Sequence, residues 1–337
     1  MDLPQPRDQT QLYGHQAAIQ AFRQCWDAGR LPHAWLISGA AGIGKATLAY
    51  HLARWVMAAD RPADSIVLPS DHRLYRQVSA GSAPGLLVVE PIEREKTGGV
   101  YAISATQIRG GDDDREGVKQ RFKGLYPFFR QSSAADGWRI VIIDQADQMT
   151  EQAENALLKI LEEPPARTLI FLVTAQPGRL LPTIRSRCRQ LALQPLSESD
   201  IKQAAATFSL NMSPALLQAA AGSLGELDRL SGLDGGDISD RLDALLALLP
   251  QIDWSQAHEL AGIIGRKGAE PLFDLAMDLL RMKLQTQFSQ RPAGALSMDQ
   301  VNRKIAAVKD AHLDRGASLI DLFFLLQKIM ATAAKAA

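Results

Sequence analysis

Lys45 is the residue whose chemistry is easiest to name from its neighbours. It lies in the run Gly39-Ala-Ala-Gly-Ile-Gly-Lys45-Ala46-Thr47. Gly39, Gly42 and Gly44 let the backbone turn its N–H groups inward, and the lysine adds a charge, which together make a cradle for phosphate oxygens. A working loop of the pattern G-x-x-x-x-G-K-[ST] also places a Ser or Thr hydroxyl on Mg²⁺. Ala46 stands at that position here. Thr47 carries a hydroxyl, but one step along a helix rotates a side chain by about 100°, away from the metal. The run therefore predicts a phosphate scaffold that has lost its magnesium ligand.

A second run, Ile140-Val-Ile-Ile-Asp144-Gln145-Ala146-Asp147, ends an apolar stretch on an aspartate. In nucleotide hydrolysis an aspartate so placed supports Mg²⁺ and an adjacent glutamate polarises the attacking water. Gln145 fills the glutamate position; it can hydrogen-bond water but has no basic carboxylate to take a proton. Thr174, at the end of another apolar run, completes a degenerate nucleotide site of Gly39, Gly42, Gly44, Lys45, Thr47, Asp144 and Thr174, open to ATP, ADP or a smaller anion, with no cofactor required. Arg185, Arg187 and Arg189 recur at period two, which also fits the exposed face of a strand. His15 and His33 are expected to be ordinary loop or packing histidines rather than base contacts. Asp112-Asp-Asp-Arg-Glu116 is expected to be a solvated loop rather than a metal site.

These groups need a frame. Strands are expected at Ala34 to Ser38, Leu86 to Glu90, Arg139 to Ile143 and Leu169 to Val173. The unbroken Val/Ile run at 140–143 reads as a parallel strand covered by helices on both faces. After the loop, Leu48, Ala49, Leu52, Ala53, Val56 and Met57 form the stripe of an amphipathic helix. Strand, glycine loop and helix put the helix N-terminus against an anion. Thr150 is a candidate cap for a helix whose core stripe is Ala156, Leu157, Ile160 and Leu161. Residues 60–84 and 94–118, rich in Pro, Gly, Ser and charge, read as surface excursions. Beyond 194 the pattern is almost wholly helical, with joints near Pro195 and Gly232–Gly236.

The 337 residues carry 37 Lys and Arg against 37 Asp and Glu, so any nucleic-acid contact must come from a local patch. Cys25 and Cys188 match no metal spacing, and the start Met-Asp-Leu-Pro-Gln-Pro-Arg lacks the pattern of a signal peptide. Leu319 to Met330 is too short and too charged to span a bilayer. A cytoplasmic chain without membrane contact is expected.

Asn155-Ala-Leu-Leu-Lys-Ile-Leu-Glu-Glu-Pro-Pro165, Thr174 and Ser186-Arg187-Cys188 together resemble bacterial clamp-loader subunits of the AAA+ family. The resemblance runs from Leu12-Tyr-Gly-His15 to Gly222-Ser-Leu-Gly225. It implies an α/β fold: a RecA-like AAA+ P-loop domain with a parallel sheet (1–194), a three-helix lid (195–236) and an all-helical collar (237–337) that joins a five-subunit ring. By the same match Arg187 is a trans-acting finger for a neighbour's ATP, a role that suits a planar, permanently charged guanidinium. Gly225 stands where ATP-hydrolysing members usually carry a lid arginine. Residues 58–100 contain no cysteine, so the four-cysteine zinc module of many relatives cannot form and no zinc is expected. The implied partners are gamma/tau and delta subunits and, through the assembly, the sliding clamp and primer-template DNA. Arg179, Arg185 and Arg189 are candidate phosphate contacts. Two rivals remain: a catalytically active gamma/tau-like ATPase, and a non-replicative DNA-binding adaptor on the same fold.

Overall fold

The computed structural model describes residues 3–94, 100–113, 120–130, 137–212, 214–232, 235–266, 269–288, 298–305 and 314–336. They form two compact units, one of residues 3–201 with 223–225, the other of 202–222 and 226–337.

The first unit is built on a parallel sheet of five strands. These are β1 (Ala34–Ser38), β2 (Leu86–Val89), β7 (Arg139–Ile143), β8 (Thr168–Thr174) and β9 (Arg189–Ala192), in the order β2-β7-β8-β1-β9. Two small antiparallel hairpins, β3 (Ile92–Arg94) with β4 (Val100–Ala102) and β5 (Gly111–Asp113) with β6 (Gln120–Phe122), stand apart from it. All of β1 and β8 is buried, as parallel strands covered on both faces must be.

Alternate side chains divide the core. Trp35, Ile37, Ile140, Ile142, Leu169, Phe171 and Val173 face one layer, with Phe22 of α1 (Gln16–Asp27) and Leu48 and Leu52 of α2 (Lys45–Met57). Phe22 lies 5.0 Å from the Trp35 ring and 5.9 Å from that of Phe171. Leu36, Val141, Ile143, Ile170 and Leu172 face the other layer. That layer holds α4 (Ala105–Arg109), α5 (Leu125–Arg130), α6 (Glu151–Glu162) and α7 (Pro182–Arg187). The Thr150 hydroxyl caps α6 by accepting from Ala153 N–H at 3.3 Å, and Ala156, Leu157, Ile160 and Leu161 are buried as the stripe requires.

The two expected surface excursions contain more core than their composition signals. Ile66, Leu68, Tyr75 and Val78 are buried, the last two on α3 (Arg73–Ser79). In the later stretch Ile103 and Ile108 are buried beside a reciprocal Ser104–Gln107 capping box that starts α4. Turn-forming residues mark where the chain bends, not whether its few apolar side chains find cover. Asp112 lies in β5, 3.8 Å from Arg121; residues 114–116 of the acidic run lie outside the described residues.

The second unit is helical. Its elements include the helices Pro214–Ala220, Gly235–Ala247, Trp254–Ile264, Glu270–Phe288 and a last helix, Arg315–Ala336. On that last helix Leu319, Leu322, Phe323, Leu326 and Met330 are buried, while Phe324 is 55% exposed and stacks on Trp254 at 4.2 Å. The helix thus buries one broad face and leaves one large ring outward. Among the described residues no helix is long and apolar enough to cross a membrane.

The amino-terminal segment is strapped across α2 by Arg54. This fully buried guanidinium donates to the carbonyls of Arg7 and Gln9 and lies 4.4 Å over the Tyr75 ring. One turn earlier on α2, His51 is also fully buried. Burial pushes its imidazole down to about 4, and the Arg54 charge adds to that against the opposing pull of the nearby Gln11 backbone carbonyl. An unfolded histidine protonates near 6.5. Below that pH the unfolded chain binds more protons, so stability falls between 6.5 and about 4 and levels off once the folded ring protonates too. The loss should reach about 3 kcal/mol at most. Urea unfolding of the wild type and of His51→Leu, measured across that window, should show the shallower decline in the variant; equal declines would clear His51 as the source.

Candidate functional site

Strands running one way bring all their carboxyl ends to one rim of the sheet, and most of the predicted nucleotide residues meet there. The glycine loop leaves β1 after Ser38, Asp144 follows β7 and Thr174 ends β8. Gly39, Gly42 and Gly44 have φ of +151°, +71° and +97°, conformations that only glycine adopts without strain.

Each of the four carbonyls between Gly39 and Gly44 has its own donor. Ala40 accepts from Lys45 Nζ, Ala41 from Ser223 Oγ at 2.9 Å, Gly42 from Gly225 N–H at 3.0 Å and Ile43 from His15 Nε2 at 2.7 Å. The Gly44 carbonyl then accepts the first helical bond, from Leu48 N–H at 2.9 Å. A loop whose carbonyls are tied outward keeps its N–H groups turned the other way, the nest that binds oxyanions. His15 is therefore a loop fastener, more than the ordinary packing residue its surroundings in sequence imply. Because Nε2 faces a carbonyl, it carries the proton. Burial holds this imidazole below its ordinary value. His33 Nε2 meets the Leu161 carbonyl at 3.0 Å, away from the loop, in the packing role expected of it.

Lys45 is 8% exposed. Burial lowers its pKa, while Asp144 and Asp147 oppose that shift. The Asp144 carboxyl is held above the usual carboxylate range, first by burial and then by Glu90 and Asp147, against the Gln145 N–H, which it accepts at 2.9 Å, and the Lys45 charge. Gln145 is exposed, at φ +49°. The Thr174 hydroxyl donates to Asp147 Oδ1, which also accepts Ala175 N–H at 3.2 Å. Asp147, which the sequence did not single out, thus ties the ends of β7 and β8 together. Ala46 and Thr47 sit half-buried on the first turn of α2, and Ala46 packs against the core. The donor set fits an oxyanion: nest N–H groups and one lysine, with neither a hydroxyl after Lys45 to hold a metal nor a carboxylate after Asp144 to act as base.

Gly225 and Gly42 touch through their backbones. A Cβ on Gly225 would stand 2.9 Å from Gly42 Cα, and one on Gly42 would stand 2.4 Å from Ser223 Oγ. Residue 225 is therefore part of a backbone clasp that leaves no room for a side chain.

Arg187 lies elsewhere. It ends α7, and β9 begins only at Arg189, which pairs with Trp35, while Ala192 pairs with Ser38 beside the glycine loop. Three strand residues, about 10 Å, separate those levels, so Arg187 belongs to the amino rim of the sheet. Its Nη2 meets Glu162 Oε1 at 2.8 Å and its Nη1 donates to the Thr183 carbonyl at 3.1 Å. The strand alternative for the period-two arginines fails at Arg185 and Arg187, because Pro182 opens a helical turn that carries both. Only Arg189 lies on a strand. A further feature had no local signal. Arg109, Arg130 and Lys159, from three helices, line a recess of about 650 Å³ with Tyr126 and Asn155 and, among the described residues, no carboxylate.

A family model described as DNA polymerase III, delta subunit, matches residues 14–197. The chain belongs to that family. DNA polymerase III subunit delta′ of Pseudomonas aeruginosa is 36% identical over 181 residues, 54% of this chain and 48% of the relative. The delta′ subunit of Escherichia coli is 32% identical over 209 residues, 59% of this chain and 54% of the relative. DNA polymerase III subunit gamma/tau of Mycobacterium tuberculosis is 32% identical over 182 residues, 54% of this chain and 28% of the relative. The chain spans about half the length of the delta′ relatives it matches. The family, the parallel sheet and the helical second unit agree with the α/β P-loop fold that the motifs imply.

Gly225→Arg should not rebuild a nucleotide sensor but break the clasp, lowering stability by about 1–3 kcal/mol in denaturant unfolding. A variant as stable as the wild type would show that the contact yields freely.

Proposed function

We propose that this chain is a delta-prime-type subunit of a DNA polymerase III clamp loader, a stator that hydrolyses no ATP and lends Arg187 to the ATP site of a neighbouring subunit. The observation that carries the reading is the position of Arg187, exposed on the rim of the sheet opposite its own glycine loop. A phosphate that meets this guanidinium belongs to another chain. Ala46, Gln145 and Gly225 support the other half of the reading, since each stands where hydrolysis needs a metal ligand, a base or a sensor. The glycine loop keeps its fastened carbonyls and Lys45, which suits an oxyanion or a nucleotide phosphate held without a metal ligand from residue 46. No zinc and no obligatory cofactor enter the proposal.

In this reading residues 1–194 are the AAA+ domain, 195–236 the lid and 237–337 the collar. The partners are gamma/tau and delta subunits in the cytoplasm, with the sliding clamp and primer-template DNA reached through the complex and no membrane involved. Exposed Arg179, Arg185 and Arg189 are the proposed phosphate contacts. The gamma/tau relative, at 32% identity over 182 residues, favours a second reading, an active ATPase whose altered groups are supplied from elsewhere.

ATP turnover separates the two. Purified protein should show no appreciable Mg²⁺-dependent hydrolysis, and Lys45→Ala should change nothing; turnover near one per second that vanishes in Lys45→Ala would establish the gamma/tau-like reading instead.

In the complex reconstituted with gamma/tau and delta subunits, Arg187→Ala should leave assembly intact and nearly silence one site in single-turnover assays, since such fingers supply roughly 10³ to 10⁵ in rate. Arg187→Lys should rescue poorly, because a point charge lacks the planar fork. Wild-type rates at every site in Arg187→Ala complexes would refute the trans assignment.

A further inference from the structure

Glu162 is the last residue of α6. A carboxylate there faces the negative end of the helix dipole, an unfavourable place unless a cation answers it. The answering group is Arg187, the last residue of α7, whose Nη2 lies 2.8 Å from Glu162 Oε1. The same guanidinium is held on its other prong by the Thr183 carbonyl at 3.1 Å. Among the described residues two of its five N–H groups are engaged, which leaves three for a partner, and the side chain is 37% exposed. At the other end of α7, the buried carboxylate of Glu154 accepts the Leu181 N–H at 3.2 Å. α6 thus grips α7 twice: Glu154 sets where the short helix starts, and Glu162 sets where its terminal guanidinium points.

We propose that Glu162 is a positioning residue for Arg187, fixing the guanidinium on the amino rim with its free N–H groups outward before a neighbouring subunit's nucleotide phosphate arrives. The inference rests on the trans-finger reading of Arg187. An unrestrained arginine samples many rotamers and must be ordered at the moment of docking; one already anchored at two points meets the phosphate in a single geometry. Displacement by about 1 Å can cost on the order of 10²-fold in rate, so loss of the anchor should appear in catalysis. It should not appear in folding, because half-exposed ion pairs contribute little to stability.

The test is single-turnover ATP hydrolysis in the complex reconstituted with gamma/tau and delta subunits, primer-template DNA and clamp. Glu162→Ala should slow the site bordered by this chain by about ten- to 10²-fold, with the apparent ATP affinity, the assembly and the melting temperature of the isolated chain unchanged. Glu162→Gln should recover most of the rate, because its amide oxygen still accepts from Nη2; a merely structural effect would not track that acceptor. If Glu162→Ala hydrolyses at the wild-type rate or faster while Arg187→Ala is slow, the positioning role is wrong and the finger stands. If Glu162→Ala abolishes assembly, the carboxylate serves an interface and the proposal fails. If Arg187→Ala also hydrolyses normally, the finger reading fails and this inference falls with it.

Discussion

Strand direction is the constraint from which the rest of the first unit follows. Five strands pair in parallel, and a parallel pair can be joined only by a crossover that returns the chain to its starting rim. Every strand therefore ends on one rim and every return segment finishes on the other. Lys45, Asp144 and Thr174, each at or just beyond a strand's carboxyl end, are collected on the first rim, whereas Glu162 and Arg187, each ending a returning helix, are collected on the second. One fold thus presents two chemically different rims: a glycine loop beside the buried Lys45, and the exposed Arg187 guanidinium at a distance from it.

The glycine loop is held by bonds that use no metal ligand and no general base. Its N–H groups stay aligned because Lys45, Ser223, Gly225 and His15 hold the carbonyls between Gly39 and Gly44. None of those bonds needs a metal or a general base. Ala46 and Gln145 supply none of those bonds, so the loop's support does not depend on them. At Gly225 the relation is tighter, since absence of a side chain is what admits the backbone contact with Gly42.

Similarity to relatives is concentrated in the unit that must hold particular groups. The family match covers residues 14–197, where glycines at positive φ, capped helix starts and buried carboxylates each demand one or a few residue types. The helical unit asks for less. A stripe of Leu, Ile and Phe of suitable volume fills its core in many combinations, as with the buried Leu319, Leu322, Phe323 and Leu326 of the last helix.

What was legible in the sequence was local. β1 and β7 have the bounds expected, β2 differs by one residue at one end and β8 by one residue at each end, because an unbroken apolar run bounded by turn residues has few other uses. The glycine loop, the α2 stripe and the Thr150 cap each depend on residues within a few positions of one another. The short strand β9 was missed, since Arg189–Ala192 is mostly exposed and pairs with β1, more than a hundred and fifty residues earlier. His15 on Ile43, Ser223 on Ala41 and Glu162 on Arg187 were hidden for the same reason: each partner is chosen by the sheet that brings distant segments together, and neither residue type nor spacing announces it. By itself the sequence determined which side chains the chain can offer, because Ala46 brings no hydroxyl and Gln145 no carboxylate in any fold. Only the tertiary structure decided which groups face one another, because parallel pairing sends Lys45 and Arg187 to opposite rims of the same sheet.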